Sequence, residues 1–273
     1  MSSALKIGVV GIGTIGRTIC KAVDEGTHGI RLAAIYDIHK ERTNEFIPTL
    51  KNEPTVVEID EMVDLVDLVV ECASQKAVKS IAIPTLKRGK NIMIMSVGAL
   101  IDEDLFSEIK RLCQENDCKV YLPSGAIAGL DALKSSHVGG ISSVTLTTRK
   151  PPRSLEGCTF FDEMGLDIGS IKEEKLVFEG SAYEAVKLFP ANVNVAASLS
   201  IAGIGAEHTT VKVFADPKLS RNTHELHVVG EFGEFRTRVE NLPSPSNPKT
   251  SYLAALSAIA TLKKIVDPIQ VGT

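Results

Sequence analysis

The sequence predicts an α/β protein: a Rossmann-type, doubly wound parallel sheet followed by a second, α+β domain built on a mostly antiparallel sheet. Three observations carry this. The chain opens with a strand, a glycine turn and a helix in "LKIGVVGIGTIGRTICKAV". Apolar strands and helical stretches then alternate up to about residue 124. Beyond that point strands such as "ISSVTLTTRK" alternate apolar with polar positions. Strands apolar throughout fit the two-sided burial of a parallel sheet, whereas alternation marks a sheet with one wet face.

Residues 5 to 10, "LKIGVV", read as a buried strand, and "GIGTIG" places Gly11, Gly13 and Gly16 in the G-x-G-x-x-G pattern, with Thr14 and Ile15 completing the loop. The first glycine permits the tight turn, the second lets backbone approach a pyrophosphate, and the third lets helix and strand pack closely. The helix that follows presents its N-terminus to the anion. The next strand, "IRLAAIYDI", ends in Asp37, 21 residues after Gly16, where an acid bonds the adenosine ribose hydroxyls. Its charge favours NAD over NADP, but Lys40 and Arg42 follow and pull the other way, so the expected cofactor is NAD or NADP. A helix and strand over "DEMVDLVDLVVECAS", a helix through "KAVKSIAIPTLKRGK", the strand "NIMIMSVGAL", the helix "DEDLFSEIKRLCQENDC" and the strand "KVYLPSG" continue the alternation. Ligands sit at the carboxyl ends of such strands. That makes Cys72, Ala73 and Ser74, then Ser96 to Ala99 and Ser124 to Ala126, the expected rim. Cys72 also reads as an ordinary small core residue.

The expected organisation is a dinucleotide-binding domain over residues 1–124, a substrate domain over 125–246, and a C-terminal helix over 247–273 that packs back on the first domain. In the second half, Ser181 followed by Glu184 is a capping-box signature, and the helix it starts stops at Pro190. Asn192 is the expected N-cap of "ANVNVAASLSIAGIG". Strands "HTTVKVFAD", "THELHVVGEFG" and "EFRTRVEN" follow. In "SNPKTSYLAALSAIATLKKIV" Asn247 is the expected cap and Pro248 the first helical residue.

Composition removes several function classes. Lys and Arg total 30 against 34 Asp and Glu, so no basic excess exists to neutralise a phosphate backbone, and nucleic acid is not an expected partner. The five cysteines fit neither a disulfide framework nor a four-ligand zinc spacing. No metal is expected, and a reducing cytoplasm suits the thiols. No stretch reaches the roughly 20 apolar residues a membrane span needs.

The two histidines of "RNTHELHVVGEFG" invite a metal reading, but strand alternation separates them. His224 shares a face with Leu226 and Val228, while His227 shares the other with Glu225. His227 and Glu225 read as a solvated face. His224, on the apolar face, is either a core histidine or a functional one. His28, His39, His137 and His208 give no specific signal.

Several strings, "VVGIGTIGR", "ECASQKAV", "PSGAIAGLDAL", "RKPPRSLEG", "GSAYEAVKLFPANVNVAASLSIAGIG", "ADPKLSRNTHELHVVGEFG" and "NPKTSYLAALSAIA", together resemble the L-aspartate dehydrogenase family and run from residue 9 to residue 260. The resemblance implies NAD(P)-dependent oxidation of L-aspartate to iminoaspartate, which hydrolyses to oxaloacetate and ammonia or feeds de novo NAD synthesis. It also implies a homo-oligomer, a dimer or tetramer. It makes His224 the catalytic residue and associates Ala126 and an asparagine, Asn192 or Asn194, with the cofactor. The chemistry suits a histidine: hydride leaves Cα only when the amine lone pair is free, so the ammonium must first lose a proton to a base titrating near neutrality. Two substrate carboxylates need cationic or N–H partners. Lys249 and Thr250, read as the first turn of the last helix, are the leading candidates; Arg149, Lys150 and Arg221 are weaker ones. Three alternatives stand beside this reading. They are a homoserine-dehydrogenase-like enzyme, a semialdehyde dehydrogenase with a nucleophilic Cys72 or Cys158, and a non-catalytic NAD(H) sensor.

Overall fold

The computed structural model describes residues 4–273 apart from 159, 162–163, 190–193 and 246, together with the backbone but not the side chains of Pro248 and Lys249. The chain divides into two compact units, Met1–Pro123 with Ala254–Gln270, and Ser124–Leu253 with Val271–Thr273.

The first unit holds six parallel strands: β1 (Leu5–Val10), β2 (Ile30–Tyr36), β3 (Thr55–Val56), β4 (Leu68–Glu71), β5 (Asn91–Ile94) and β6 (Val120–Tyr121). Their order is β3-β2-β1-β4-β5-β6, the arrangement in which the switch of direction between β1 and β4 opens a crevice at the strand carboxyl ends. Helices α1 (Thr14–Asp24), α2 (Lys40–Phe46), α3 (Ile59–Leu65), α4 (Gln75–Lys87) and α5 (Glu103–Asn116) link the strands. Leu68 to Glu71 are buried without interruption, as a covered central strand demands. Helix α1 buries Ile19, Cys20 and Val23 at helical spacing. Ala258 and Leu262, from the C-terminal stretch, join the same core with Ile7, Val9 and Leu68.

The second unit carries β7 (Ile141–Lys150), β8 (Lys175–Ser181), β9 (Thr209–Ala215), β10 (Asn222–Gly230) and β11 (Gly233–Asn241), in the order β11-β10-β7-β9-β8. The β7–β9 pair is parallel; β10–β11, β10–β7 and β8–β9 are antiparallel. Helices α6 (Leu130–Val138), α7 (Ala182–Leu188) and α8 (Asn194–Ala202) belong to this unit. The capping box opens α7: Ser181 Oγ accepts from the Glu184 backbone N–H at 3.2 Å, and Glu184 accepts from the Ser181 N–H at 2.8 Å. Alternation along β9 is strict, with Thr209, Val211, Val213 and Ala215 buried and the residues between them half-buried.

One expected element is corrected. Asn247 and Pro248 do not start the last helix. Asn247–Ser251 forms a short strand, β13, that pairs with β12 (Pro243–Ser244), and the helix, α9 (Tyr252–Val266), begins only after it. The Asn-Pro signal is local, and it loses to backbone pairing: Pro243 lies opposite Ser251, and the Tyr252 N–H donates to the Leu242 carbonyl at 2.9 Å. Lys249 and Thr250 therefore stand on an extended segment immediately before the helix rather than in its first turn. Helix α6 is a second difference. Its sequence has little amphipathic contrast, and only Leu133 and Ser136 are buried.

Candidate active site

In the first unit, a cavity of about 420 Å³ is lined by Gly11, Gly13, Asp37, Cys72, Ala73 and Ser74, with Tyr36, Ile38, His39 and Arg42 around its rim. That is within the usual size of a small-ligand site. The three motif glycines play separable parts. Gly11 has φ +95°, and a Cβ there would lie 2.7 Å from the backbone of Cys72 and Ala73. A Cβ on Gly16 would collide with the Gly11 carbonyl oxygen. A Cβ on Gly13 would meet nothing within 4 Å, so this backbone faces open space in front of α1, whose N-cap, Gly13 itself, offers no side-chain cap. Thr14 and Ile15 form the first turn of α1 and are half-buried. Unsatisfied N–H groups at a bare helix start, with room before them, fit a dinucleotide pyrophosphate.

Asp37 is buried, and its carboxylate is already engaged. One oxygen accepts from the Ile12 N–H at 2.7 Å, the other from the His39 N–H at 2.9 Å, and Arg42 approaches to 3.7 Å. The acid thus ties the end of β2 to the glycine turn. Arg17 braces the same turn, donating from Nε to the Ile12 carbonyl at 3.1 Å while lying over the Phe46 ring at 5.4 Å.

Sequence reasoning missed Glu71. Its fully buried carboxylate accepts from the Ala73 N–H at 2.8 Å and from both the N–H and hydroxyl of Ser96 at 2.9 Å. It staples the loop after β4 to the loop after β5, so Ser96 serves this network rather than lining the cavity. Burial pushes the Glu71 carboxyl up despite these bonds. Burial, and then the charge of Glu71, push the Cys72 thiol well up too, which leaves Cys72 inert as a nucleophile and removes the basis for a semialdehyde-dehydrogenase role there.

In the second unit His224 lies on the buried face of β10, 3% exposed, with Leu226 and Val228. It stands opposite Thr148 of β7, and its Nδ1 is 3.0 Å from Thr148 Oγ1. Two residues further along β7, on the same face, is Lys150, 5% exposed and the only buried Lys or Arg among the described residues. Burial lowers Lys150 to about 8. Burial, and then the neighbouring Lys150 charge, lower His224 to about 3, so in the free protein its imidazole is neutral and a weaker base than the one titrating near neutrality that the sequence reading expects. A void of about 10 Å³ beneath Thr148 and Lys150 has room for one water, too little for bulk solvent to ease the burial of the ammonium.

The other cationic candidates separate cleanly. Arg149 is on the opposite face, paired with Glu174 and Glu225 at 2.6 Å and stacked over Phe214. Arg221 is exposed. The Lys249 side chain and Asn192 lie outside the described residues, and Asn194 is the first residue of α8. Ala126 is buried, and its carbonyl accepts from Asn241 Nδ2 at 3.0 Å. Asn241 Oδ1 is the one buried side-chain oxygen or nitrogen among the described residues with no partner. His227 bonds Glu234 at 2.9 Å on the wet face, as strand alternation predicts, and His208 sits exposed in a turn. No cluster of three metal-ligating side chains occurs among the described residues, and no described helix is long and apolar enough to cross a membrane.

A Rossmann sheet with an uncapped glycine turn, joined to a separate α+β unit holding a buried neutral histidine, defines the class of two-unit nucleotide-binding proteins. Residues 11–123 match the family model described as homoserine dehydrogenase, NAD binding domain, and residues 131–265 match aspartate dehydrogenase, C-terminal. The chain belongs to the L-aspartate dehydrogenase family. It is 57% identical over 270 residues to the L-aspartate dehydrogenase of Methanococcoides burtonii and 55% identical to that of Methanosarcina barkeri, in each case covering 98% of this chain and 100% of the relative. The crystal structure of aspartate dehydrogenase from Thermotoga maritima superposes with a TM-score of 0.76 at 31% identity, covering 98% of this chain and 99% of that one. A homoserine dehydrogenase structure from Thiobacillus denitrificans, at 14% identity and a TM-score of 0.63, shares the fold alone.

Proposed function

We propose that this protein oxidises L-aspartate to iminoaspartate with NAD or NADP, the imine then hydrolysing to oxaloacetate and ammonia. The observation that carries the reading is the near full-length identity, above one half, to enzymes named L-aspartate dehydrogenase. The nucleotide match shared with homoserine dehydrogenase covers only the first half of the chain.

His224 is the base. Neutral in the free protein, it takes a proton from the substrate ammonium and frees the nitrogen lone pair that expels hydride from Cα. Arrival of a dianionic side of the substrate favours the protonated imidazole, so the group gains basicity when it is needed. The bound nicotinamide supplies the acceptor for that hydride. Gly11, Gly13, Gly16 and the α1 N-terminus hold the pyrophosphate, Asp37 lies at the ribose, and Cys72, Ala73 and Ser74 form the floor beside them. Ala126 and Asn192 or Asn194 complete the cofactor contacts. Lys249 takes part in substrate binding from its extended segment. The enzyme works as a homo-oligomer in the cytoplasm and supplies iminoaspartate to de novo NAD synthesis.

The test is NADH and NADPH formation at 340 nm with L-aspartate, L-homoserine, L-glutamate and D-aspartate, for wild type and His224→Ala. Turnover confined to L-aspartate, falling by about 100-fold or more in the variant, is the expected result. Turnover of homoserine instead, or tight dinucleotide binding with no turnover of any amino acid, overturns it.

A further inference from the structure

We propose that Asn241 is a substrate-binding residue: its side-chain oxygen accepts an N–H from the amino group of the amino-acid substrate and holds that nitrogen in front of His224. The assignment rests on reading this chain as an aspartate-oxidising enzyme with His224 as its base.

Strand register puts the two residues together. Phe235, Thr237, Val239 and Asn241 of β11 alternate onto the face that β10 buries with His224, and the pairs across the two strands are Val228–Phe235, Leu226–Thr237, His224–Val239 and Asn222–Asn241. The polar end of this face is closed: Asn222, His224 and Asn241 are 7%, 3% and 3% exposed, and Thr148 and Lys150 of β7 share the face with them. Asn241 and His224 are diagonal neighbours, a relation that spaces Cα atoms by about 7–8 Å in an antiparallel pair, so one ligand nitrogen over the sheet reaches both side chains. His224 must be uncovered for the reaction, and Asn241 lies at the same depth on the same face.

The two ends of the amide are distinguished by their surroundings. Nδ2 donates to the Ala126 carbonyl at 3.0 Å. A carbonyl only accepts, which fixes the orientation of the amide and leaves Oδ1 as the end with no partner. Thr237, four residues earlier, donates from Oγ1 to the Ala128 carbonyl at 3.1 Å, so the 126–128 segment is pinned to β11 without any bond from Oδ1. A buried oxygen lacking a donor is destabilising, and a ligand N–H relieves it. The neutrality of this acceptor suits the chemistry. The buried acids among the described residues, Asp37 and Glu71, both belong to the first unit. A carboxylate facing the substrate nitrogen would favour the ammonium and oppose proton transfer to His224. An amide oxygen accepts from ammonium and free amine alike, and so keeps the nitrogen oriented while it loses its proton.

The experiment is titration of the enzyme–NADH complex with L-aspartate and with succinate, which has both carboxylates and no amino group. It is read by NADH fluorescence for wild type, Asn241→Leu and Asn241→Asp, with kcat and KM for aspartate measured beside it. Asn241→Leu is expected to weaken L-aspartate by about 10- to 100-fold, the range of a lost bond to a charged group, and succinate by less than about threefold. Asn241→Asp restores an acceptor. It is expected to keep the preference for aspartate over succinate while lowering kcat by about tenfold or more at neutral pH, because the carboxylate holds the ammonium. If Asn241→Leu does not fold, the Asp variant decides alone: a kept preference with a lower kcat supports the assignment, and a lost preference overturns it. Equal weakening of both ligands, or unchanged aspartate binding in Asn241→Leu, also overturns it. So does a loss of NADH affinity with the aspartate-to-succinate ratio unmoved, the mark of a contact with the nicotinamide carboxamide or of a disturbed Ala126 segment. A wild-type complex that neither binds nor turns over L-aspartate removes the aspartate reading itself, and the assignment with it.

Discussion

Thr148 Oγ1 and His224 Nδ1 meet at 3.0 Å across two paired strands, 76 residues apart in sequence and both buried. The hydroxyl accepts from Nδ1–H or donates to a bare Nδ1. Only the first arrangement leaves Nε2 bare to take a proton, so a base acting through Nε2 needs the threonine hydroxyl as acceptor, and the contact fixes the ring orientation in either case. Thr148→Val removes this partner at nearly constant volume and is expected to lower kcat for aspartate by about 10- to 100-fold. Thr148→Ser should retain most of the rate. A purely packing role would make the serine variant, which loses a methyl group, the worse of the two.

Two glycines of one motif should fail differently. Gly11→Ala forces a Cβ into the backbone of Cys72 and Ala73 at a positive φ, and it should cost about 3 kcal/mol or more of stability. Gly13→Ala meets no atom and should leave the melting temperature within a degree or two, yet weaken NADH binding by about tenfold or more by filling the space the pyrophosphate needs. Thermal melts and NADH fluorescence titrations, run in parallel, separate the two. A fall in stability in Gly13→Ala as large as that in Gly11→Ala counts against the division of roles.

Asp37→Ser, the usual way of admitting a 2′-phosphate, should not simply switch preference here. It releases the Ile12 and His39 N–H groups that the carboxylate holds, and an unsatisfied buried donor costs about 1–3 kcal/mol. The expected outcome is weaker binding of both nucleotides and a lower melting temperature, measured by titration and calorimetry. Tighter NADPH binding with unchanged stability contradicts the clamp.

The buried titrating pair gives the fold a pH signature of known sign. His224 is held at about 3, below the ordinary histidine value of 6.5, so between those values the native state binds fewer protons than the unfolded chain. Stability from this group is complete above pH 6.5 and is lost as pH falls toward 3. Lys150 is lowered from 10.5 to about 8, so the native state again binds fewer protons, and stability rises with pH from 8 to 10.5. His224→Asn should flatten the acid-side loss and Lys150→Met the alkaline rise, read as melting temperature against pH. Lys150→Met should also ease protonation of His224, moving the acid limb of kcat against pH upward; an unmoved limb would detach Lys150 from the base.

The sequence by itself determined the elements whose causes are short-range. The glycine triplet, the apolar strands that predict a covered parallel sheet, the Ser181–Glu184 cap and the alternation that puts His224 on the apolar face and His227 on the wet one all depend on neighbours within a turn or a strand. The family strings added a role for His224 that periodicity leaves open between core and site. Tertiary structure alone decided what depends on register between distant strands. It chose Thr148 as the partner of His224, brought Lys150 to the same buried face and sent Arg149 to the other. It also placed Ser96 under Glu71, and Arg42 rather than Lys40 at the cavity. The segment around Lys249 shows the reason. Its local signal favours a helix start, but pairing of β12 with β13 satisfies the same backbone groups as a strand, and a propensity worth less than about 1 kcal/mol per residue yields to backbone hydrogen bonds that only the assembled fold supplies.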